Sequence, residues 1–308
     1  MHDIIGDIHG HADNLACLLK KLGYKTGKNG YFHEEGRKVI FLCDFIDRGP
    51  KIKEVLDIAK AMVENGNALA VLGNHELNAL AYNTPDPFNK GEFLRPHTSK
   101  NQGQIHETLN QLGNSLGMYL DWFRKLPLWL DFDNLRVIHA CWDWDDIEKV
   151  KNFLGGNIIG NNNDFLSEAY RENDGSLFES IEHLLKGKEF HLPDGIIFYD
   201  HGEQPRTIAR ARWYLDPREK KYTYRQYAWQ FPEIECDEQL DIGNIGKISP
   251  CGSHEKPVFI GHYWLPEKIP SLLAPNVACV DYSVAKEGFL CSYRHQGEKE
   301  LSNKNFVW

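Results

Sequence analysis

Six side chains of metal-binding type follow short apolar runs along this chain. They are two aspartates, one asparagine and three histidines: Asp7, His9, Asp44, Asn74, His139 and His262. Carboxylate, amide and imidazole groups together suit hard to borderline divalent cations. Two such cations a few ångströms apart can activate a water molecule and hold a phosphate group. The residue types therefore indicate phosphoester or phosphoanhydride chemistry, provided that the fold brings the six side chains together.

The six residues lie in five short sequence blocks, and each block follows a predicted β-strand. The blocks are G-D-I-H-G (6–10), C-D-F-I-D-R-G (43–49), G-N-H-E (73–76), I-H-A (138–140) and I-G-H (260–262). The predicted strands are residues 2–5, 39–42, 68–72, 135–138 and 258–260. Open α/β sheets place their sites at the carboxyl ends of the strands. We therefore expect the five blocks to meet at one edge of the fold.

This order of blocks resembles the calcineurin-like metallophosphoesterases, on the branch shared by phosphoprotein phosphatases and symmetrical diadenosine tetraphosphate hydrolases. The family pattern D-x-H, G-D-x-x-D-R-G, G-N-H-D/E, H and G-H runs here from Asp7 to His262. The closing segment, G-H-Y-W followed by V-A-C-V-D and G-F-L-C-S-Y, also resembles the C-terminal sheet of the tetraphosphate hydrolases. The resemblance implies an α/β fold, a four-layer sandwich of two mixed β-sheets flanked by helices, with metals at one edge.

The resemblance also implies a role for each metal ligand. Asp7 and His9 hold the first metal, Asp44 bridges both metals, and Asn74, His139 and His262 complete the second site. One position departs from a common pattern, since many members read G-H-x-H where this chain has G-H-Y-W, with Trp264 in place of the second histidine. Phosphoprotein phosphatases and the tetraphosphate hydrolases also lack that histidine. The expected cofactors are two divalent ions, manganese in vitro, with iron, zinc, magnesium or nickel as alternatives.

Three further residues of the same blocks are expected to act on the substrate. By resemblance, His75 protonates the leaving oxygen and Asp47 orients and charges it. An imidazolium held by a carboxylate is a suitable acid near neutral pH. Arg48 resembles the family's phosphate-binding arginine, and a guanidinium fits phosphate oxygens. A water or hydroxide between the two metals is then expected to attack phosphorus in line.

Composition limits the class of protein and its partners. The chain has 308 residues, 42% of them hydrophobic, and a net charge of −9, so an extended nucleic-acid-binding face is not expected. No apolar run approaches the length of a membrane span, and no signal peptide is visible. The seven cysteines lack C-x-x-C pairs, which favours reduced thiols and a cytoplasmic location. Cys43 and Cys141 lie beside expected ligands in the sequence. Tight packing or redox sensitivity would explain why cysteine occupies these two positions.

The rest of the chain predicts one catalytic domain, residues 1–308, with an inserted cap at 143–205. Apolar spacing predicts a helix over 105–123, and strands at 277–281 and 289–294 are expected to finish a second sheet. An alternating segment, 206–214, places Arg206, Arg210 and Arg212 on one face. These arginines either bind the remote end of a substrate together with Arg48 or form a solvated strand face.

The sequence predicts a two-metal hydrolase of dinucleoside polyphosphates or other small phosphates. Two alternatives remain open: a protein serine/threonine or tyrosine phosphatase acting on a phosphoprotein substrate, and a non-catalytic metal- or nucleotide-binding module. The module is disfavoured because binding alone does not require the acid group of His75 beside a complete ligand set.

Overall fold

The structure is a computed structural model that describes residues 1–173, 175–199, 204–229, 234–245 and 254–308. In chain order the strands are β1 (His2–Ile5), β2 (Lys25–Gly27), β3 (Gly30–Phe32), β4 (Lys38–Phe41), β5 (Ala68–Ala70), β6 (Trp129–Asp131), β7 (Arg136–Ile138), β8 (Glu189–His191), β9 (Phe198–Tyr199), β10 (Pro205–Arg206), β11 (Ile208–Ala211), β12 (Ala228–Trp229), β13 (Val258–Ile260), β14 (Val277–Cys279), β15 (Asp281–Tyr282), β16 (Phe289–Leu290), β17 (Ser292–His295) and β18 (Phe306–Val307). The α-helices are α1 (Ala12–Lys21), α2 (Ile52–Glu64), α3 (Asn74–Tyr82), α4 (Ser99–Leu112), α5 (Leu116–Phe123), α6 (Trp144–Leu154), α7 (Asn163–Tyr170), α8 (Phe178–Lys186) and α9 (Tyr224–Tyr227). No helix in these ranges is long and apolar enough to cross a membrane.

The larger sheet has five strands in the order β18-β17-β1-β4-β5. β1, β4 and β5 run parallel, and the amphipathic helices α1 and α2 lie between them in sequence. β17 pairs antiparallel with β1, with His2 opposite His295. Ile4, Ile5 and Val39 are fully buried, as expected for strands covered on both faces. The carboxyl ends of β1, β4 and β5 therefore lie side by side.

The second sheet has four strands in the order β14-β13-β7-β6. β7, β13 and β14 are parallel, and β6 and β7 form an antiparallel hairpin. Both sheets contribute to one apolar core, with Phe41 from the first sheet and Phe259 from the second. Buried faces of α1 and α8 belong to the same core. The predicted sandwich of two mixed sheets with flanking helices is confirmed.

A small lobe, which we define as the described residues between 189 and 245, has its own apolar core. It contains a three-stranded sheet in the order β12-β11-β8, and its core includes Phe190, Ala209 and Tyr227. By contrast, α6, α7 and α8 pack their buried residues into the main core. The cap at residues 143–205 stays a prediction, and the lobe lies partly beyond that range.

Two sequence-based expectations about elements are wrong. The single helix over 105–123 is two helices, because α4 ends at Gly113, whose φ of 46° leaves the helical region. A 3₁₀ turn at Gly113–Ser115 then leads into α5. The strand expected at 289–294 does not finish the second sheet: β16 pairs with β15, and β17 joins the first sheet beside β1.

Candidate metal centre and active site

The six predicted ligands come together where strands of the two sheets end. Asp7 and His9 follow β1, Asp44 follows β4, and Asn74 begins α3 after β5. His139 and His262 follow β7 and β13 of the other sheet. The backbone N–H of His262 donates to Oδ2 of Asp7 at 3.0 Å, which joins the two sheets at the site. The convergence inferred from the strand-end positions is present in the structure.

The backbone is strained at this edge. Positive φ angles occur at His9, Cys43, Asp44, Asp47, Arg48, His262 and Trp264. Such angles are uncommon outside glycine, and they are maintained only where the surrounding structure holds them. Here the strain coincides with the motif blocks. It turns several short side chains inward from strand ends that would otherwise alternate between the two faces of a sheet.

Two motif glycines make room for the buried carboxylates. A Cβ atom at Gly73 would overlap Oδ1 of Asp44, and one at Gly261 would overlap Oδ1 of Asp7. Both glycines immediately precede a ligand, Asn74 and His262 respectively. The glycines of the G-N-H-E and I-G-H blocks are therefore required by close approach to the carboxylates.

Asp44 lies at the centre of the site. Its Oδ2 atom is 3.5 Å from Nε2 of His139, 3.7 Å from Nε2 of His9 and 3.8 Å from Nε2 of His75. Burial alone would raise the pKa of Asp44, but the neighbouring charges of His75 and His139 hold it well below its usual range. The carboxylate is thus an anion shared between two groups of imidazoles, as a bridging ligand would be.

Two ligand groups meet at Asp44. One consists of His9, Asp44 and His75, and the other of Asp44, His139 and His262; in each, the potential ligand atoms lie within 4.8 Å of one another. Oδ1 of Asn74 belongs beside the second group, 2.9 Å from Nε2 of His139 and 3.1 Å from Nδ1 of His262. An amide oxygen placed against two imidazole nitrogens is well oriented to share a cation with them.

Unpartnered buried atoms show that this donor set suits cations. Oδ1 of Asp7 and Nε2 of His262 are buried and, within the part of the chain that the structure describes, have no hydrogen-bond partner. Burial and the charges of Asp281 and Asp44 raise the pKa of Asp7. Burial also lowers the pKa of His9 and of His262, which keeps their lone pairs free. A divalent ion would satisfy these atoms and neutralise the clustered carboxylates.

His75 is held by a buried chain of hydrogen bonds. Its Nδ1 lies 2.5 Å from Oδ2 of Asp47, and Thr108 Oγ1 donates to Oδ1 of the same carboxylate at 2.5 Å. Thr108 in turn accepts from the backbone N–H of Asp47 at 3.0 Å. Oδ1 of Asp44 accepts from the backbone N–H of His75 at 3.1 Å. Nε2 of His75 therefore faces Oδ2 of Asp44, at 3.8 Å.

Arg48 lies over the same centre. Its Nη1 is 3.1 Å from Nε2 of His9, and its Nη2 is 3.4 Å from Nε2 of His75. The guanidinium carbon is 4.0 Å from the ring centroid of Trp264. Trp264 is in turn held by Asp281, whose Oδ2 accepts from the backbone N–H of Trp264 at 2.8 Å. The guanidinium therefore lies between the two imidazoles and the indole ring at the edge of the site.

The structure separates the three other predicted arginines. Arg206 is exposed on β10, in a two-stranded hairpin with β9. Nε of Arg210 lies 3.9 Å from Oε1 of Glu189, and the charge of Arg210 adds to burial in lowering the pKa of His262. Nε of Arg212 donates to the backbone oxygen of Ala228 at 3.2 Å, and its guanidinium carbon lies 5.3 Å from the ring centroid of Trp229. The shared strand face therefore does not give the three residues a shared environment.

Sequence reasoning missed three polar groups that support the site. Oε2 of Glu76 accepts from the backbone N–H of Asp44 and Oε1 from that of Phe45, at 3.1 and 2.8 Å. Burial, followed by the charge of Asp44, raises the pKa of Glu76 to about 7. Thr108 and Gln104 both belong to α4, and Nε2 of Gln104 lies 3.3 Å from Nδ1 of His75. Glu76 could have been noticed as the last residue of G-N-H-E, whereas no sequence signal marks Thr108 or Gln104.

Comparison with known proteins establishes the family. The model for calcineurin-like phosphoesterases matches residues 3–206, so the chain belongs to that family. A serine/threonine phosphatase from Saccharomyces cerevisiae with similarity to human phosphatase PP5 aligns over 99% of this chain and 78% of its own, with a TM-score of 0.51 and 14% identity. That likeness concerns the fold. The chain is thus a hydrolase of the metallophosphoesterase class, as the sequence predicted.

Curated relatives carry more specific names. Bis(5′-nucleosyl)-tetraphosphatase PrpE (asymmetrical) of Geobacillus sp. strain WCH70 is 42% identical over 175 residues, which cover 52% of this chain and 67% of the relative. The symmetrical bis(5′-nucleosyl)-tetraphosphatase of Hamiltonella defensa is 27% identical over 234 residues, 70% of this chain and 77% of the relative. Relatives of both cleavage types therefore resemble this chain.

Proposed function

We propose that this chain hydrolyses phosphoanhydrides of the dinucleoside polyphosphate type, using two divalent cations. The observation that carries the proposal is the placement of Asp44, whose Oδ2 is shared by three imidazoles while its Oδ1 fixes the backbone of His75. One carboxylate thus links the cation-binding groups to the proposed acid. A module that only binds metal has no need for this link, or for the Asp47 carboxylate behind His75.

The six predicted ligands would hold the cations. Asp7 and His9 contribute to one site, Asn74, His139 and His262 to the other, and Asp44 lies between them. When bound, two such ions lower the pKa of a water molecule and stabilise negative charge on phosphate. Manganese is the proposed ion in vitro, and iron, zinc, magnesium or nickel would suit the same oxygen and nitrogen donors. His75 falls geometrically within one ligand group, and its assignment as acid and not ligand is part of the proposal.

Three side chains are proposed to act on the substrate, each in a different role. Arg48 holds the oxygens of the phosphate under attack, since a guanidinium presents parallel N–H donors to them. His75 donates the proton on Nε2 to the leaving oxygen. Asp47 accepts the hydrogen bond from Nδ1–H, which fixes the orientation of the ring for the transfer.

The inserted cap at residues 143–205 of a single catalytic domain stays part of the proposal, and the small lobe is proposed to extend that cap. It is attached beside the ligands: Nε1 of Trp213 donates to the backbone oxygen of Ala140 at 3.1 Å, next to His139. Arg210 of β11 brings a positive charge towards His262. A cap in this place would contact the part of a substrate that lies beyond the phosphate under attack. We retain the predicted cytoplasmic location as part of the proposal.

The test is a substrate panel with added manganese. It includes p-nitrophenyl phosphate, diadenosine tetraphosphate, cyclic nucleotides and phosphopeptides, with nucleotide products separated by chromatography. The proposal expects the highest kcat/KM for diadenosine tetraphosphate, and the products show whether cleavage is symmetrical. A preference for phosphopeptides would favour the phosphoprotein phosphatase alternative. Metal binding without turnover of any member would favour the non-catalytic module.

A further inference from the structure

Two cations share the ring of Trp264 at the edge of the site. Besides Arg48, the ammonium of Lys286 lies over this ring, with Nζ 3.6 Å from the centroid. The guanidinium carbon of Arg48 is 4.0 Å from the same point. The two charges are therefore separated by no more than the sum of these distances. Aromatic faces attract cations, but one ring does not neutralise two of them.

The position of Lys286 is fixed by the backbone around it. Asp281 accepts from the N–H of Trp264 through Oδ2 and from the N–H of Ser283, at 3.0 Å, through Oδ1, so one buried carboxylate ties the two loops together. Ser283 and Glu287 both have positive φ, and the N–H of Lys286 donates to the backbone oxygen of Ser283 at 2.7 Å. The turn Val284–Lys286 is thus built to present its lysine beside Trp264.

In the described residues, buried carboxylates attract both cations from a distance: Asp44 acts most strongly on Arg48, and Asp281 acts on Lys286. In those parts of the chain, no carboxylate forms an ion pair with Arg48 or with Lys286. Lys286 is exposed, and burial together with the charge of Arg48 lowers its pKa. Two like charges held close together, neither of them in a direct ion pair, favour the binding of an anion that reaches both. A single orthophosphate at Arg48 would not need the second cation.

We propose that Arg48 and Lys286, supported by Trp264, form a paired-cation subsite for two consecutive phosphates of a phosphoanhydride. Arg48 holds the phosphate under attack, and Lys286 holds the phosphate bonded to it. This rests on the proposed function and narrows it, because a phosphomonoester carries no second phosphate. Discrimination between phosphoanhydrides and phosphomonoesters then depends on Lys286 and on the Trp264 ring that it contacts.

The experiment compares two probes on the metal-loaded protein. Binding of orthophosphate and of inorganic tripolyphosphate is measured by calorimetry at a constant excess of free manganese, and both are assayed as inhibitors of p-nitrophenyl phosphate hydrolysis. Lys286→Ala should weaken tripolyphosphate more than orthophosphate, by a ratio of roughly tenfold or more, the size expected for one lost charged hydrogen bond. Lys299→Ala, at another exposed lysine of the C-terminal region, is the matched control and should leave the ratio unchanged.

Trp264 provides the second set of variants. Trp264→Leu removes the shared ring and should weaken both probes, because Arg48 loses its support as well. Trp264→Phe keeps an aromatic face and should retain most of the binding of both. An unchanged ratio of the two affinities in Lys286→Ala, whether neither probe or both probes bind more weakly, overturns the paired-cation subsite. Absence of hydrolysis by the manganese-loaded wild type would instead overturn the proposed function, and the calorimetric ratio would still decide the subsite.

Discussion

Nδ1 of His75 lies 2.5 Å from Oδ2 of Asp47, and the other oxygen of that carboxylate accepts from Thr108 at 2.5 Å. Both oxygens of Asp47 are therefore engaged, and the imidazole cannot rotate without breaking a buried contact to a carboxylate. The consequence is a fixed direction for Nε2, towards Asp44. This relationship separates the role of His75 from that of the neighbouring Asn74, whose oxygen contacts His139 and His262.

We expect His75→Asn to lower kcat and to leave metal content near that of the wild type. The loss should reach about 10² to 10⁴ for alkyl phosphates, whose leaving groups need a proton. It should be smaller for p-nitrophenyl phosphate, because p-nitrophenolate leaves readily without one. Steady-state kinetics and elemental analysis of the same preparation measure both effects. Loss of one equivalent of metal would show instead that His75 is a ligand of the group formed with His9 and Asp44.

Asp44→Asn should lower metal affinity more than any other single ligand substitution. The substitution removes the one anion shared by the two ligand groups, so that both lose the negative charge that would face a cation. The decrease should exceed the ~10- to 100-fold typical of losing a residue that only supports a ligand. Equilibrium dialysis with manganese measures it, and Asp13→Asn, at an exposed aspartate paired with Lys51, is the control. Retention of two tightly bound ions in Asp44→Asn would contradict the bridging role.

Arg210→Ala should mainly affect substrate kinetics, whereas Arg212→Ala should mainly affect stability. The charge of Arg210 acts on His262, so its loss should raise KM for a large anionic substrate. The value of kcat/KM for that substrate should fall by about one to two decades, and the effect on p-nitrophenyl phosphate should be smaller. Arg212 bonds the backbone of Ala228 and contacts Trp229, so its loss should mainly lower stability, by about 1–2 kcal/mol. Kinetics on both substrates and urea unfolding distinguish the two. A loss of stability in Arg210→Ala, together with a rise in KM in Arg212→Ala, would refute this division.

Native-state alkylation should modify Cys17 and spare Cys43 and Cys141. Cys17 is exposed, whereas burial raises the pKa of both other thiols, so little thiolate is present near neutral pH. Peptide mapping by mass spectrometry after iodoacetamide treatment reports each site, with the unfolded protein as the positive control. Labelling of Cys43 in step with loss of activity would restore the hypothesis of a redox-sensitive centre. Tight packing is otherwise sufficient to explain both residues.

Local patterns predicted the strands and the convergence of the six polar side chains, because each block is a short strand followed directly by its polar residues. The break at Gly113 was not predictable in this way, since a glycine within a helix costs only about 1 kcal/mol and often leaves the helix intact. Thr108 reaches Asp47 across 61 positions of sequence through the packing of α4. Arg210 and Arg212 occupy equivalent positions in the alternating segment 206–214. Only the tertiary contacts of β11 and its neighbours distinguish them.

The position of β1 has a consequence for the order of events during synthesis. β1 precedes Asp7 and His9, yet one of its two neighbours in the sheet is β17, near the other end of the sequence. Until residues 292–295 have left the ribosome, this central strand has an open edge that is able to pair with other chains. Contacts between such distant segments also form slowly. Pairing of β1 with β17 is therefore expected to be a late step in folding, and assembly of the cation site at the end of β1 is expected to be completed only after it.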